Sequence, residues 1–98
     1  RFTASGCPDR HLEGARLLGA AVADAGASDA GDILARQIEV MMRATRVPNG
    51  LSGVGFDGDD VPGLAEAATA QQRLLAVSPR PVGGEDLHQI YEAALRYW

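Results

Sequence analysis

The 98 residues are enough for one folded domain and few for two. Hydrophobic residues make up 46% of the chain and charged residues 22%, which is typical of globular proteins and too weakly charged for a disordered one. The 9 basic residues, all arginine, are scattered and outnumbered by 13 acidic ones, so the formal charge is −4. Without a basic patch we expect no nucleic-acid partner. We also expect no membrane partner, because the longest apolar runs, 17–22 and 74–77, are too short to span a bilayer.

Cysteine usage and the first residues bear on where the chain works. Cys7 is the single cysteine and cannot form an internal disulfide, which favours a reducing compartment, and we predict a cytoplasmic location. The chain begins with Arg1 rather than methionine, and no basic-then-apolar leader follows. We therefore expect it to be part of a longer protein.

Apolar residues recur at helical spacing in four segments, each opened by a proline or a polar cap. The second segment looks the longest and the most buried, because Ile33, Ile38 and Met41 belong to a wide apolar face. No segment alternates with period two, which argues against a sheet. We predict an all-α fold of about four amphipathic helices in a small bundle, with 1–98 as a single helical domain. The predicted helices cover about 8–23, 29–45, 59–75 and 85–98.

Glycines and prolines mark the predicted boundaries. Gly26 is the expected stop of the first helix, and the glycines within 50–58 predict an irregular loop. Pro79 and Pro81 forbid a helix around Arg80 and impose an extended path there.

Three carboxylates in the loop, Asp57, Asp59 and Asp60, invite a calcium site. An EF-hand loop needs a bidentate glutamate at its twelfth position, and the twelfth residue counted from Asp57 is Ala68. The simpler interpretation is that Asp59 and Asp60 cap the third helix.

The residues capable of catalysis are isolated from one another in the sequence. His11 and His88 lie in separate predicted helices without other ligands at a recognised metal spacing. Cys7 has no evident base beside it and is predicted to be an inert thiol. We predict that this chain contains no catalytic, no cofactor-binding and no metal-ligating residue.

Three short stretches, in this order and spacing, resemble the C-terminal helical region of the iron-containing alcohol dehydrogenase family. That family includes maleylacetate reductases and hydroxyacid-oxoacid transhydrogenases. The first stretch is Arg1-Phe2, and the second combines Arg46-Val47-Pro48-Asn49-Gly50-Leu51 with Asp59-Asp60-Val61-Pro62-Gly63-Leu64-Ala65. The third is Ser78-Pro79-Arg80-Pro81-Val82, followed by Glu85-Asp86-Leu87 and Tyr91. The resemblance implies the C-terminal part of a dehydroquinate synthase-like α-helical domain.

The resemblance also implies a parent enzyme: a metal-dependent, NAD(P)-linked oxidoreductase that transfers hydride between a nicotinamide and an alcohol or carbonyl carbon. The family holds its iron or zinc with one aspartate and three histidines and its cofactor with a glycine-rich turn, all upstream of this region. His11 and His88 do not match those ligands. Two residues depart from the family's pattern: Ser78 replaces an asparagine, and Gly83 replaces a threonine or serine cap.

In such a parent, this region would form a helical wall, with the loop before Ser78 near the mouth of the substrate site. The implied substrate-facing residues are Arg73, Leu74, Leu75, Ala76 and Val77. They would meet a small alcohol, aldehyde or oxoacid. Arg73 or Arg80 could bind a carboxylate, although Arg80 could equally tie two loops together.

The implied partner is the remainder of the parent dehydrogenase chain, with a homo-oligomer left open, and the chain alone is expected to be inactive. The alternative hypothesis is a free-standing helical interaction domain without catalysis. In that case the face from Ile33 to Met42, or the face from Leu87 to Trp98, would cover a partner.

Overall fold

All regular secondary structure is helical in the computed structural model, which describes residues 1–98. This confirms the predicted all-α fold class. The chain forms two compact units, Arg1–Val47 and Pro48–Trp98. None of the helices is long and apolar enough to cross a membrane. The α-helices are α1 (Pro8–Leu17), α2 (Ala30–Ala44), α3 (Val61–Thr69), α4 (Gln72–Leu75) and α5 (Gly84–Ala94). Short 3₁₀ helices cover Phe2–Gly6, Leu51–Val54 and Gly58–Asp60.

In the first unit, α1 packs against α2, and both helices contact the N-terminal 3₁₀ helix. The buried side chains at these contacts are alanines: Ala15 and Ala30 are fully buried, and Ala4 nearly so. Gly31 lies so close to the first residues that a Cβ there would approach the Cβ of Ala4 to 2.9 Å. Small residues therefore let the helices of this unit approach closely.

The first helix ends earlier than predicted, at Leu17 rather than near residue 23. Gly19 adopts the left-handed conformation with φ 94°, its N–H donates to Arg16 O at 3.0 Å, and Ala20 N–H donates to Ala15 O at 2.9 Å. This is the Schellman pattern, which satisfies the last carbonyls of a helix. Gly19, and not Gly26, is therefore the stop.

The second helix has nearly the predicted span, yet its burial was predicted wrongly. Only its first two residues are buried, whereas Ile38, Val40 and Met41 are 41%, 59% and 45% exposed. The helix ends in the same Schellman geometry as α1, but with Arg46 at φ 58° in the position that glycine usually fills.

In the second unit, α3 packs against α5, and the buried residues of this contact are Val61, Ala65 and Leu87. The predicted third helix is broken after Thr69, since α4 is a separate turn. Thr69 Oγ1 donates to Ala65 O at 2.8 Å, and Gln72 Nε2 donates to Thr69 O at 2.6 Å. These side-chain bonds to the backbone compete with continuation of the helix.

The carboxylates at the start of α3 hold the preceding 3₁₀ helix rather than capping α3 directly. Asp57 Oδ1 accepts from Asp59 N–H at 2.8 Å, and Asp60 Oδ2 accepts from Asp57 N–H at 3.0 Å. Asp60 stands at the N-cap position of α3 without a side-chain capping bond. The two reciprocal bonds form a capping box around the turn.

The Asn49 side chain anchors the chain after α5. Its Oδ1 accepts from the backbone N–H groups of Tyr97 and Trp98 at 2.8 and 3.1 Å, and its Nδ2 donates to Trp98 O. A helix continuing to Trp98 would need those N–H groups for its own carbonyls. The predicted end of the last helix is therefore wrong, and α5 stops at Ala94.

Gly50 completes this anchor because its backbone lies against the end of α5. It has φ 66°, and a Cβ there would lie 2.5 Å from the carbonyl oxygens of Ala94 and Leu95. The neighbouring Ser52 N–H donates to Leu95 O at 3.0 Å. We call these contacts of Asn49, Gly50 and Ser52 with residues 94–98 the C-terminal clasp.

We predict that Gly50→Ala destabilises the protein by about 2–4 kcal/mol, because it combines a strained positive φ with a steric clash. Gly63→Ala is the matched control: Gly63 lies in α3 with open space around it, so alanine should stabilise by roughly 0.5–1 kcal/mol. Urea unfolding of both variants measures the difference. Equal stability of the two variants would contradict the role given to Gly50.

Candidate functional site

The predicted substrate-facing segment is the exposed stretch that includes α4. Arg73, Leu74 and Leu75 belong to α4, while Ala76 and Val77 follow it. Leu74 is 61% exposed and Val77 is 82% exposed, although both are large apolar side chains. The segment therefore presents apolar surface outward. Its role toward a substrate stays a prediction.

Ser78 follows this segment and contains an unsatisfied polar group. Its Oγ is buried and has no hydrogen-bond partner, while its backbone N–H donates to Leu75 O at 3.1 Å. Buried hydroxyls in native proteins nearly always have a partner, because an unpaired one costs about 1–3 kcal/mol. In this structure no protein group pairs with that hydroxyl. Arg80, two residues on, is half-buried.

Near the N-terminus, Thr3, Cys7 and His11 form a connected group. His11 Nε2 lies 3.0 Å from Thr3 Oγ1, and His11 Nδ1 lies 3.0 Å from Cys7 O and 3.5 Å from Cys7 Sγ. The prediction that Cys7 has no base beside it is therefore wrong. Residues four apart face each other at a helix start, so the spacing of Cys7 and His11 was the signal that could have revealed this contact.

The geometry of this group indicates a structural link rather than a nucleophile with its base. A carbonyl oxygen accepts only, so Nδ1 must carry a proton to bond Cys7 O, and Nε2 then accepts from the Thr3 hydroxyl. The remaining contact is from Cys7 Sγ to Thr3 O at 3.7 Å. A protonated Nδ1 cannot remove the proton of the thiol. The group thus connects the first 3₁₀ helix to α1.

Other candidate ligands do not converge. No group of three or more His, Cys, Asp and Glu side chains in residues 1–98 is placed to hold a metal ion. Of the three loop aspartates, Asp57 and Asp60 use their carboxylates in the capping box described above, and Asp59 takes part in it through its backbone N–H. His88 is half-buried in α5.

A cavity of about 300 Å³ opens beside the start of α2. Arg1 lines it, and its guanidinium donates from Nε to Asp32 Oδ1 at 2.7 Å and from Nη2 to Glu39 Oε1 at 2.9 Å. The pKa of Arg1 is raised, mainly by its hydrogen bond with Asp32 and next by its hydrogen bond with Glu39. The hydrogen bond from Arg1 in turn lowers the pKa of Asp32. The guanidinium is thus already paired. The lining residues are Arg1, Ala4, Ser5, Ala27, Ser28, Gly31 and Asp32.

Comparisons with known proteins identify several relatives of this chain. No family model and no solved structure matches it. It is 37% identical over 97 residues to "Hydroxyacid-oxoacid transhydrogenase, mitochondrial" of Xenopus laevis, which covers 99% of this chain and 21% of that protein. The human protein of the same name is 36% identical over 97 residues, with the same coverage. The probable transhydrogenase of Dictyostelium discoideum is 34% identical over 95 residues, covering 97% of this chain and 17% of that protein.

The chain spans about a fifth of the length of the curated relatives it matches. The names of these relatives also correct one prediction. All three are named as mitochondrial proteins, so the cytoplasmic location predicted from the single cysteine is contradicted. A free thiol reports a reducing environment, and that environment is not restricted to the cytoplasm.

The Arg1–Asp32 pair predicts a pH dependence. Since the pKa of Asp32 is lowered in the folded protein, the pair stabilises it above the ordinary carboxyl pKa and loses that contribution as pH falls below about 4. Asp32→Asn should therefore lose less stability than the unmodified protein on acidification from about pH 6 to pH 3. The effect should be small, because both side chains are at least half exposed.

Urea unfolding at both pH values, in low salt, measures this difference. Asp24→Asn is the matched control, because it removes an exposed carboxylate of the same unit outside the ion pair. If the free energy of unfolding of Asp32→Asn fell on acidification as steeply as that of Asp24→Asn, the ion pair would contribute nothing to stability.

Proposed function

The chain is homologous over nearly its whole length to hydroxyacid-oxoacid transhydrogenases of the iron-containing alcohol dehydrogenase family, as its sequence motifs predicted, and on that basis we propose its function. It is the C-terminal helical portion of a longer, two-domain oxidoreductase. The parent transfers hydride between a hydroxyacid and an oxoacid or carbonyl substrate. The observation that carries this proposal is homology along 99% of this chain to proteins about five times its length.

Nicotinamide and a divalent metal, iron or zinc, belong to this proposal as cofactors of the parent. The metal would supply Lewis-acid polarisation of the substrate oxygen when bound. This chain lacks a convergent ligand set, so its own contribution is to form part of the wall of the site. No step of the reaction is assigned to its histidines.

Within that wall, the segment from Arg73 to Val77 is proposed to face the substrate. Exposed leucine and valine side chains provide an apolar surface, and the Arg73 guanidinium next to them can bind a carboxylate. The buried Ser78 hydroxyl next to the segment has no partner within the protein, so it is able to hydrogen-bond a bound group. A carboxylate-bearing hydroxyacid or oxoacid suits this combination better than a simple alcohol.

We predict that Arg73→Gln in the full gene product lowers kcat/KM for an oxoacid by roughly tenfold or more, because a charge-assisted hydrogen bond is lost. A neutral aldehyde should be reduced at nearly the unchanged rate, since it has no carboxylate to bind. Steady-state kinetics with both substrates measure this selectivity.

Arg96→Gln is the matched control, because Arg96 is an exposed arginine of the same unit outside the segment. It should leave both rates unchanged. Equal losses for oxoacid and aldehyde in Arg73→Gln would argue against carboxylate binding by Arg73, and a wild-type gene product that transfers no hydride would overturn the proposed function itself.

A further inference from the structure

We propose that an apolar patch on the first unit is the surface on which this region packs against the rest of the parent polypeptide. The patch consists of Leu18, Ile38 and Met41, and we call it the α2 patch. The inference rests on the proposed function, since it requires a longer parent chain, and it assigns a surface to that chain.

The three side chains of the patch are exposed on the first unit, at the end of α1 and on α2. Ile38 and Met41 are three residues apart in α2 and therefore share one helix face. Gln37 Nε2 donates to the backbone oxygen of Leu18 at 2.7 Å, which ties the residue after α1 to α2. The side chains are 38%, 41% and 45% exposed, in the order Leu18, Ile38 and Met41. Clustered, exposed apolar side chains of this size mark interaction surfaces.

The first unit has no means of covering this patch by itself. Its contact between α1 and α2 is made by small residues, with Ala15 and Ala30 fully buried. Alanines bring the helix backbones close together and leave the longer side chains outside the contact. Large apolar residues at the far part of α2 are therefore placed for a second neighbour.

The length of the relatives identifies that neighbour. This chain corresponds to about a fifth of their length, so a parent of the same kind has a large amount of further polypeptide linked covalently to this unit. A covalently linked segment docks at a high effective concentration and does not need an extensive surface. A stable dimer needs about 800 Å² on each partner, usually 20–30 residues a side, which three partly exposed side chains do not provide. The structure therefore supports a second copy of the chain less well as the occupant of the patch.

Cysteine labelling in the full gene product tests the proposal. Met41→Cys places a thiol in the patch, and Arg36→Cys places one on the opposite, exposed face of the same helix as the matched control. Labelling by a maleimide is timed in the native and the urea-unfolded protein, and peptide mass spectrometry locates the label so that Cys7 stays in place. We expect the native-state rate at position 41 to be slower than at position 36 by roughly tenfold or more, because a covered thiol is inaccessible.

In the structure described here both positions are exposed, so equal labelling rates at 41 and 36 would overturn the proposal. Protection at position 41 that disappears when the protein is diluted to a monomer would also overturn it, because the occupant would then be a second copy. The outcome is independent of catalysis. If Met41→Cys is protected but the gene product transfers no hydride, the docking proposal is supported and the proposed function is overturned. If Met41→Cys is labelled freely in an active enzyme, only the docking proposal is overturned.

Discussion

Close packing of helices through alanine is the constraint on which the first unit depends, and the second unit also buries few side chains, namely Val61, Ala65 and Leu87. The first unit is held at Ala4, Ala15 and Ala30, and the largest side chain that is fully buried anywhere in the chain is Val61. Such contacts position backbones well but remove little apolar area from water, and buried area is the main source of folding stability. The same constraint leaves leucine, isoleucine, valine and methionine side chains exposed in both units. This distribution supports the proposal that further polypeptide covers these side chains.

The second unit supplements its small core with polar contacts between distant parts of the chain. Asn49 satisfies two backbone N–H groups at the end of the chain, and the conformation of Gly50 lets the backbone approach α5. The Pro48-Asn49-Gly50 sequence is thus more than a helix breaker. Its asparagine makes three hydrogen bonds to the end of the chain, because Oδ1 accepts two of them while Nδ2 donates the third.

The helical fold and the helix starts were predictable from the sequence, because proline, acidic caps and apolar spacing are local signals. The errors were of other kinds. The end of α5 depends on Asn49, which is 48 residues away from Tyr97, so no local pattern contains it. The end of α1 has a local signal in Gly19. The apolar stripe continues past Gly19, however, and therefore points to Gly26 as the stop. The exposure of α2 could not be predicted, since periodicity finds an apolar face and cannot say what covers it.

At the candidate site, too, local sequence signals were predictive and the folded surroundings were not predictable. The motif around Ser78 led to the segment from Arg73 to Val77, and the structure places that segment at the surface with large apolar side chains exposed. The unpaired Ser78 hydroxyl was invisible to sequence reasoning, because hydrogen-bond satisfaction is a property of the folded surroundings. The buried hydroxyl and the exposed apolar faces both suit the proposed role of a helical wall that further polypeptide covers.

The measurement that tests this account most directly is the intact mass of the native gene product. This chain spans about a fifth of its relatives, so the proposal predicts a polypeptide of roughly five times 10.3 kDa that contains these 98 residues. A native product of about 10.3 kDa, stable and complete by itself, would contradict the account, because no further polypeptide would then exist to supply the site or cover the exposed faces.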